Sequence, residues 1–393
     1  MYADLTFNIK IAQMKYTPRV IEKVVRQYLK QFPAIGLTGP RQAGKSTLLQ
    51  HLFADYNYVT FDDPIVVSQF EADPYGFMLQ HDDKVIFDEA QYVPDIFRYI
   101  KINIDNDRQT KSKFIITGSS QFSFIKNIRE SLAGRIGLLS LLPFQYSELP
   151  KNKKKQAYFK GSYPEVILDT RMDSRAWYAS YFDTYLHKDI ATLTQVGDLR
   201  DFRRFVQLLA ANVAQQLNMS SLASDLGVSV PTIKRWISVL EASYIIFLLP
   251  PYYKNYNKRI VKSPKLYFYD SGLVNYLLEI TDPSFLERGP LAGHLFENYM
   301  ISEIKKREVH QASQRQLYYL RTAAGDEVDL ILDCGEYSEW IEIKNSATPK
   351  PAMLKPMKQF MASNDKGYLV YRGEDVTFSD QLAAINFSNF LEA

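Results

Sequence analysis

Apolar positions along the first 150 residues follow two alternating periods. Val20, Ile21, Val24, Val25 and Leu29 recur at helical spacing, so 16–32 is expected to be an amphipathic helix. Short apolar runs follow at 34–37, 58–62, 84–89, 113–117 and 136–142, each closed by a polar, Gly or Pro cluster. Helical patterns, such as 47–53, fill the gaps between them. Strands alternating with helices predict a parallel α/β sheet, which places ligands at the carboxyl ends of its strands. Farther on, 177–190 and 199–217 have helical spacing. Leu222, Ala223 and Leu226 then mark one short helix, Gly227 a turn, and Ser229 the cap of a second helix with Pro231 in its first turn. Ile233, Ile237 and Leu240 face inward on that second helix, and strands are expected at 244–250 and 266–269. The last hundred residues read as an amphipathic helix at 293–305, strands at 317–320, 327–332 and 340–344, a helix at 356–362 and a strand at 368–371.

The candidate chemistry begins between the first strand and its helix. Gly39-Pro40-Arg41-Gln42-Ala43-Gly44-Lys45-Ser46 fills every position of the G-x-x-x-x-G-K-[ST] pattern in the strand–loop–helix context that gives the pattern meaning. The glycines let successive backbone N–H groups turn toward a phosphate, Lys45 adds a charge for the β- and γ-phosphates, and Ser46 offers a hydroxyl to Mg²⁺. An ordinary glycine turn before a helix is the competing reading. Residues 39–47, Thr47 included, are expected to line a bound ATP. Asp88 ends an apolar strand where a carboxylate would share the Mg²⁺ with Ser46, and Glu89 beside it is placed to activate the attacking water. Ser119, at the end of the next strand, is a candidate γ-phosphate sensor. Arg135 is a candidate for stabilising transition-state charge, in its own chain or across a subunit boundary in a homo-oligomer, and a surface ion pair is the competing reading.

Composition narrows the surroundings of this site. The 393 residues suggest two or three domains, and 46% hydrophobic with 23% charged residues is ordinary for a globular chain. A net charge of +3 leaves any nucleic-acid contact to a local patch. Cys334 is the one cysteine, which excludes an internal disulfide and fits a reducing cytoplasm. No apolar run approaches the ~20 residues of a membrane helix, and 1–10 lacks the features of a signal peptide. The histidines, His51, His81, His187, His294 and His310, show no paired spacing for zinc.

Taken together, the 39–47 loop, Phe87-Asp88-Glu89-Ala90-Gln91-Tyr92-Val93-Pro94, Ile116-Thr117-Gly118-Ser119-Ser120, Ser131-Leu132-Ala133-Gly134-Arg135 and Leu141-Leu142-Pro143-Phe144 resemble a prokaryotic AAA-type ATPase family. In that family the ATPase core precedes a C-terminal domain of uncharacterised function. Gly161-Ser162-Tyr163-Pro164-Glu165 and Asp189-Ile190 resemble its linking segment. The resemblance implies ATP hydrolysis, an extra strand between the loop strand and the Asp88 strand, and a catalytic Glu in the place of Glu89.

The helix–turn–helix pattern at 220–240 with two following strands predicts a winged helix whose Thr232, Lys234 and Arg235 face outward. Lys254, Lys258, Arg259, Lys262 and Lys265, interleaved with Tyr252, Tyr253 and Tyr256, would form a basic aromatic wing suited to DNA. A solvated face or a protein-docking unit is the alternative. In the last unit a hairpin brings Asp329 toward Glu342, and alternation puts Glu342 and Lys344 on one face. Two carboxylates and a lysine suit Mg²⁺ and an activated water. This resembles the PD-(D/E)xK nuclease superfamily, a restriction-endonuclease-like fold, with Asp329, Glu342 and Lys344 on its motif and Glu297 as the preceding helix acid. Val328 departs from it where the motif often has Pro, and an edge strand with alternating charges is the competing account.

The expected organisation is therefore a P-loop ATPase domain at 1–150, a helical connector at 151–218, a winged-helix-like unit at 219–288 and a nuclease-like α/β domain at 289–393. The expected function is an Mg²⁺-dependent ATPase coupled to a DNA-acting C-terminal region. The alternative is a regulatory or scaffold ATPase with a catalytically silent nuclease-like domain that binds protein.

Overall fold

The computed structural model describes residues 16–118, 121–186, 199–252 and 263–393. The first unit runs α1 (Glu22–Gln31), β1 (Ala34–Thr38), α2 (Lys45–Leu52), β2 (Asn57–Thr60), β3 (Val85–Asp88), α3 (Ile96–Asn106), β4 (Phe114–Gly118), α4 (Gln121–Ser131) and β5 (Ile136–Ser140). Its five strands lie in the order β2-β3-β4-β1-β5 and all pair in parallel, with β4 inserted between β1 and β3. Every residue of β1, β3 and β4 is buried, because helices cover both faces of a parallel sheet; this is why the strands read as unbroken apolar runs. The first helix is shorter than its apolar pattern. Residues 16–21 instead form an arm, tied down where Tyr16 Oη and the Arg19 N–H both donate to Glu22 Oε1, each at 2.7 Å.

The middle of the chain continues through α5 (Pro164–Leu168), α6 (Ser174–Tyr181), α7 (Leu199–Ala211), α8 (Met219–Leu226), α9 (Val230–Ala242), β6 (Ile246–Leu249) and β7 (Lys265–Phe268). Gly227 closes α8 with φ 68°, and Ser229 Oγ accepts from Thr232 N–H at 3.3 Å to cap α9. Ile233, Trp236, Ile237 and Leu240 are buried, whereas Lys234 and Arg235 are exposed. Strands β6 and β7 pair antiparallel behind the two helices. Tyr253, Lys254, Tyr256, Lys258, Arg259 and Lys262 lie outside the described residues, as do Ser119, Asp189 and Ile190. Lys265 is a correction to the expected wing: it is buried, drawn toward acids of the last unit.

The last unit comprises α10 (Ala292–His310), β8 (Gln316–Arg321), β9 (Glu327–Asp333), β10 (Ser338–Lys344), α11 (Lys355–Phe360), β11 (Lys366–Tyr371), β12 (Val376–Ser379), β13 (Leu382–Asn386) and α12 (Phe387–Glu392). Its mixed sheet has the order β12-β13-β11-β10-β9-β8. Strands β8, β9 and β10 form an antiparallel meander, and β10 pairs in parallel with β11. The expected amphipathic helix is α10, and it differs from that expectation by being buried on nearly every side. It packs against its own sheet, against β7 and against the β5 side of the first unit. A helix enclosed this way can retain charges only by pairing them. Lys306 Nζ meets Glu303 Oε1 at 2.7 Å, and Arg315 Nη2 meets Glu308 Oε1 at 2.5 Å.

Candidate functional site

The loop after β1 turns where only glycine fits. A Cβ on Gly39, which has φ 142°, would lie 2.0 Å from Leu141 O. Gly44 precedes α2 with φ 94°, and Gln42 also takes a positive φ, 60°. Lys45 is buried, and its Nζ donates to Gly39 O at 3.0 Å and Pro40 O at 3.1 Å, folded back onto its own loop. Burial lowers its pKa, opposed by the nearby Glu89 and Asp88 charges. Thr47 is exposed on the first turn of α2.

Asp88 stands at the carboxyl end of β3, next to this loop. Ser46 Oγ donates to Asp88 Oδ2 at 2.9 Å, while Tyr58 Oη donates to the same oxygen and Thr117 Oγ1 to Oδ1. The hydroxyl and carboxylate expected to share Mg²⁺ are therefore in contact, and their hard oxygen donors fit that ion. Glu89 follows in the left-handed region, φ 54°. Its N–H donates to Thr117 Oγ1 at 3.1 Å, and Gln91 Nε2 donates to its Oε2. Tyr58, Gln91 and Thr117 were absent from the expected site. Gln91 and Thr117 stand inside the family-like segments, but Tyr58 carried no signal beyond its strand.

The loop is braced by residues far away in sequence. The buried Arg19 guanidinium donates to Ala43 O at 3.0 Å and Leu142 O at 2.6 Å, lies 4.6 Å from the Phe144 ring centroid, and meets Glu148 Oε2 at 3.1 Å. Burial alone would raise the Glu148 pKa, but Arg19 and the N–H groups of Val20 and Gln145 hold it below the usual carboxylate value. On the other side, Tyr244 Oη shares hydrogen bonds with Thr38 Oγ1 at 2.6 Å and Ser140 Oγ at 3.0 Å. Thr38 immediately precedes Gly39, so the turn after α9 touches the strand that carries the loop. Gly161 allows a third approach. A Cβ there would fall 2.0 Å from Tyr178 Oη, and the segment it starts brings Pro164 Cγ to 3.9 Å from where a Gly44 Cβ would be.

His310, the last residue of α10, completes the Arg19–Glu148 cluster. Its Nε2 accepts from Leu142 N–H at 3.0 Å, leaving Nδ1 to donate to Gln145 Oε1 at 2.9 Å, with Glu148 Oε1 3.7 Å away. Burial, together with Arg19 and Lys306 and despite Glu148, lowers its pKa from 6.5 to about 4. The folded value lies below the unfolded one, so the unfolded chain takes up the proton first as pH falls. Stability should thus decline between pH 6.5 and about 4, with a limiting slope of about 1.4 kcal/mol per pH unit from this group. Urea midpoints across that window should fall less steeply for His310→Gln than for wild type. Parallel profiles would remove this histidine from the account.

Arg135 is not brought to the loop. It precedes β5 at the amino end of the sheet, and its guanidinium grips Asp105 through bonds of 2.8 and 3.0 Å. The loop lies at the other end of the strands, about 16 Å away for a five-residue strand. Within one chain it cannot reach the phosphates.

The C-terminal residues do converge. Lys344 Nζ lies 2.5 Å from Glu342 Oε1 and 3.5 Å from Asp329 Oδ2, and Asp329 Oδ2 also accepts from Ile343 N–H at 2.8 Å. Glu297 Oε1 accepts from Lys265 Nζ at 2.9 Å and from Tyr267 Oη at 2.7 Å. Lys265 Nζ is also 2.5 Å from Glu327 Oε1 and 3.9 Å from Asp329 Oδ1. Burial chiefly raises Glu297 to about 7 and Glu342 to about 8, with Asp329 adding to both and the lysines opposing. Among the described residues no three His, Cys, Asp or Glu side chains are placed to hold a metal ion. With ammonium groups already on these acids, the donor set does not fit the divalent ion that the nuclease resemblance implies. Lys265 and Tyr267 were missed as members of this cluster because they belong to β7, more than 50 residues before β9.

Comparison with known proteins divides the chain into three consecutive stretches. Residues 31–150 match an AAA domain, 151–284 a domain of unknown function (DUF8612), and 292–390 a domain of unknown function (DUF4143). Uncharacterized protein Rv2008c of Mycobacterium tuberculosis is 30% identical over 367 residues, covering 92% of this chain and 81% of the relative. Uncharacterized protein MJ1544 of Methanocaldococcus jannaschii is 23% identical over 342 residues, covering 78% and 73%. Among solved structures, the Walker-type ATPase paby2304 of Pyrococcus abyssi aligns with 65% of this chain and 94% of its own at a TM-score of 0.45 and 14% identity. Among the described residues no helix is long and apolar enough to cross a membrane.

Proposed function

Because the chain belongs to the family of the mycobacterial protein Rv2008c and carries an AAA domain at residues 31–150, we propose that it is an Mg²⁺-dependent ATP hydrolase. The observation that carries this reading is the meeting of Lys45, Ser46, Asp88 and Glu89 at the carboxyl ends of β1 and β3. Residues 39–47 cradle the triphosphate, Lys45 leaving its carbonyl partners for the β- and γ-phosphates. Ser46 and Asp88 would hold Mg²⁺, which supplies charge neutralisation on the phosphates when bound. Thr117 and Tyr58 orient Asp88 through their hydroxyls. Glu89 takes the proton of the attacking water. Arg135 serves the site of a neighbouring copy in a homo-oligomer, leaving Asp105 to do so. Release of phosphate from ATP that stops when EDTA is added supports this reading, and a chain that releases none at any Mg²⁺ concentration defeats it.

The units at 151–218, 219–288 and 289–393 are read as a connector, a winged-helix-like unit and a nuclease-like α/β domain. Exposure of Lys234 and Arg235 on α9 supports contact with nucleic-acid phosphates. If so, the charge reversal Lys234→Glu/Arg235→Glu should abolish salt-sensitive binding of a labelled DNA duplex. Equal binding by the variant and wild type would remove α9 from the interface. The helix and strand order α10–β8–β9–β10–α11–β11, with Glu342 and Lys344 beside Asp329, supports the nuclease-like fold. One observation, Lys265 inside the acidic cluster, favours the second reading of that domain, a fold without cleavage that serves regulation or docking.

A further inference from the structure

The two lysines of the C-terminal cluster are not equivalent. Lys344 belongs to the domain's own β10 and its side chain is 35% exposed, so it can swing into solvent. Lys265 enters from β7 with its side chain 3% exposed. It is fixed at the backbone, paired with Leu249 of β6 and bridged to Gln216. Strand alternation aims Lys265 and Tyr267 to the same side, and both donate to Glu297 Oε1. Glu297 is thereby committed to β7, and Glu327, one strand position before Val328, is held by the same ammonium at 2.5 Å.

We propose that Lys265 is the resident cation of the cluster formed by Glu297, Glu327, Asp329 and Glu342, and that its ammonium keeps a divalent ion out of that cluster. A dication placed between Asp329 and Glu342 would stand beside a fixed, buried ammonium that already contacts Glu297 and Glu327 and lies 3.9 Å from Asp329. Like charges at such separations repel strongly where water is excluded. Lys344 can yield its place to an incoming ion; Lys265 cannot without moving the strand pair. The middle unit thus closes the acidic site of the last unit. This inference does not depend on ATP hydrolysis.

Mn²⁺ binding to the full, nucleotide-free chain, followed by electron paramagnetic resonance of the free ion, tests it in four proteins: wild type, Asp329→Asn, Lys265→Met and Lys265→Met/Asp329→Asn. Any Mn²⁺ held near Ser46 and Asp88 is common to all four and cancels. Wild type and Asp329→Asn should bind equally, whereas Lys265→Met should gain one Mn²⁺ per chain that the double variant loses. Wild type binding one more ion than Asp329→Asn would overturn the proposal, as would a folded Lys265→Met that gains none. If Lys265→Met does not fold, the wild type and Asp329→Asn pair decides alone.

Discussion

Glu89→Gln should bind ATP as wild type does and hydrolyse it at least ~10²-fold more slowly, the range expected when a general base is lost. The substitution keeps the shape of the side chain and can keep a contact with Gln91, so the left-handed turn at φ 54° need not change. Asp88 and its hydroxyl donors Ser46, Tyr58 and Thr117 are untouched, and so is Lys45. Binding and chemistry should therefore separate: unchanged nucleotide titration, and a single-turnover rate that collapses. A variant that hydrolyses at the wild-type rate would take the proton-accepting role from Glu89.

The second large effect lies outside the motif. Arg19→Ala leaves the Glu148 carboxylate buried without its nearest cation, and breaking such a pair typically costs about 3–5 kcal/mol. The same change removes the donor on Ala43 O, inside the phosphate loop, and the donor on Leu142 O. Arg19→Ala should lower the urea midpoint strongly and also weaken ATP binding. Arg19→Met/Glu148→Gln should recover part of the lost stability, because neither charge is then left alone. It should not recover binding, because Ala43 O still lacks its donor. Equal stability of wild type and Arg19→Ala would show that the pair contributes nothing.

Local signals made the first unit legible. The glycine pattern, the apolar strand ending in Asp88-Glu89 and the alternation of strands with helices all act over a few residues, and the parallel sheet follows them. The resemblance added the position of β4 between β1 and β3, which spacing alone does not set. The caps at Gly227 and Ser229 and the juxtaposition of Asp329, Glu342 and Lys344 were legible for the same local reason. Tertiary pairing was not. Arg19 falls inside the expected helix at 16–32 and carries no signal of its own, and only the fold places it under Ala43. Lys265 looked like part of a basic run, and its burial depends on acids that arrive on α10 and β9. Spacing located α10 but suggested a polar face for it, and its enclosure on nearly every side follows from packing against three neighbours that local pattern does not show. Strands β12 and β13 were missed too, their residues being largely exposed or half-buried and carrying no strong alternation.

Residues 39–47 with Asp88 and Glu89 form the proposed ATP-hydrolysing site. The most direct test is phosphate release from ATP at saturating Mg²⁺, comparing wild type with Lys45→Ala purified in parallel. Wild type should turn over and Lys45→Ala should fall to background, having lost the buried ammonium that this loop holds at Gly39 O and Pro40 O. Equal rates in the two proteins would mean that the hydrolysis comes from somewhere other than this loop.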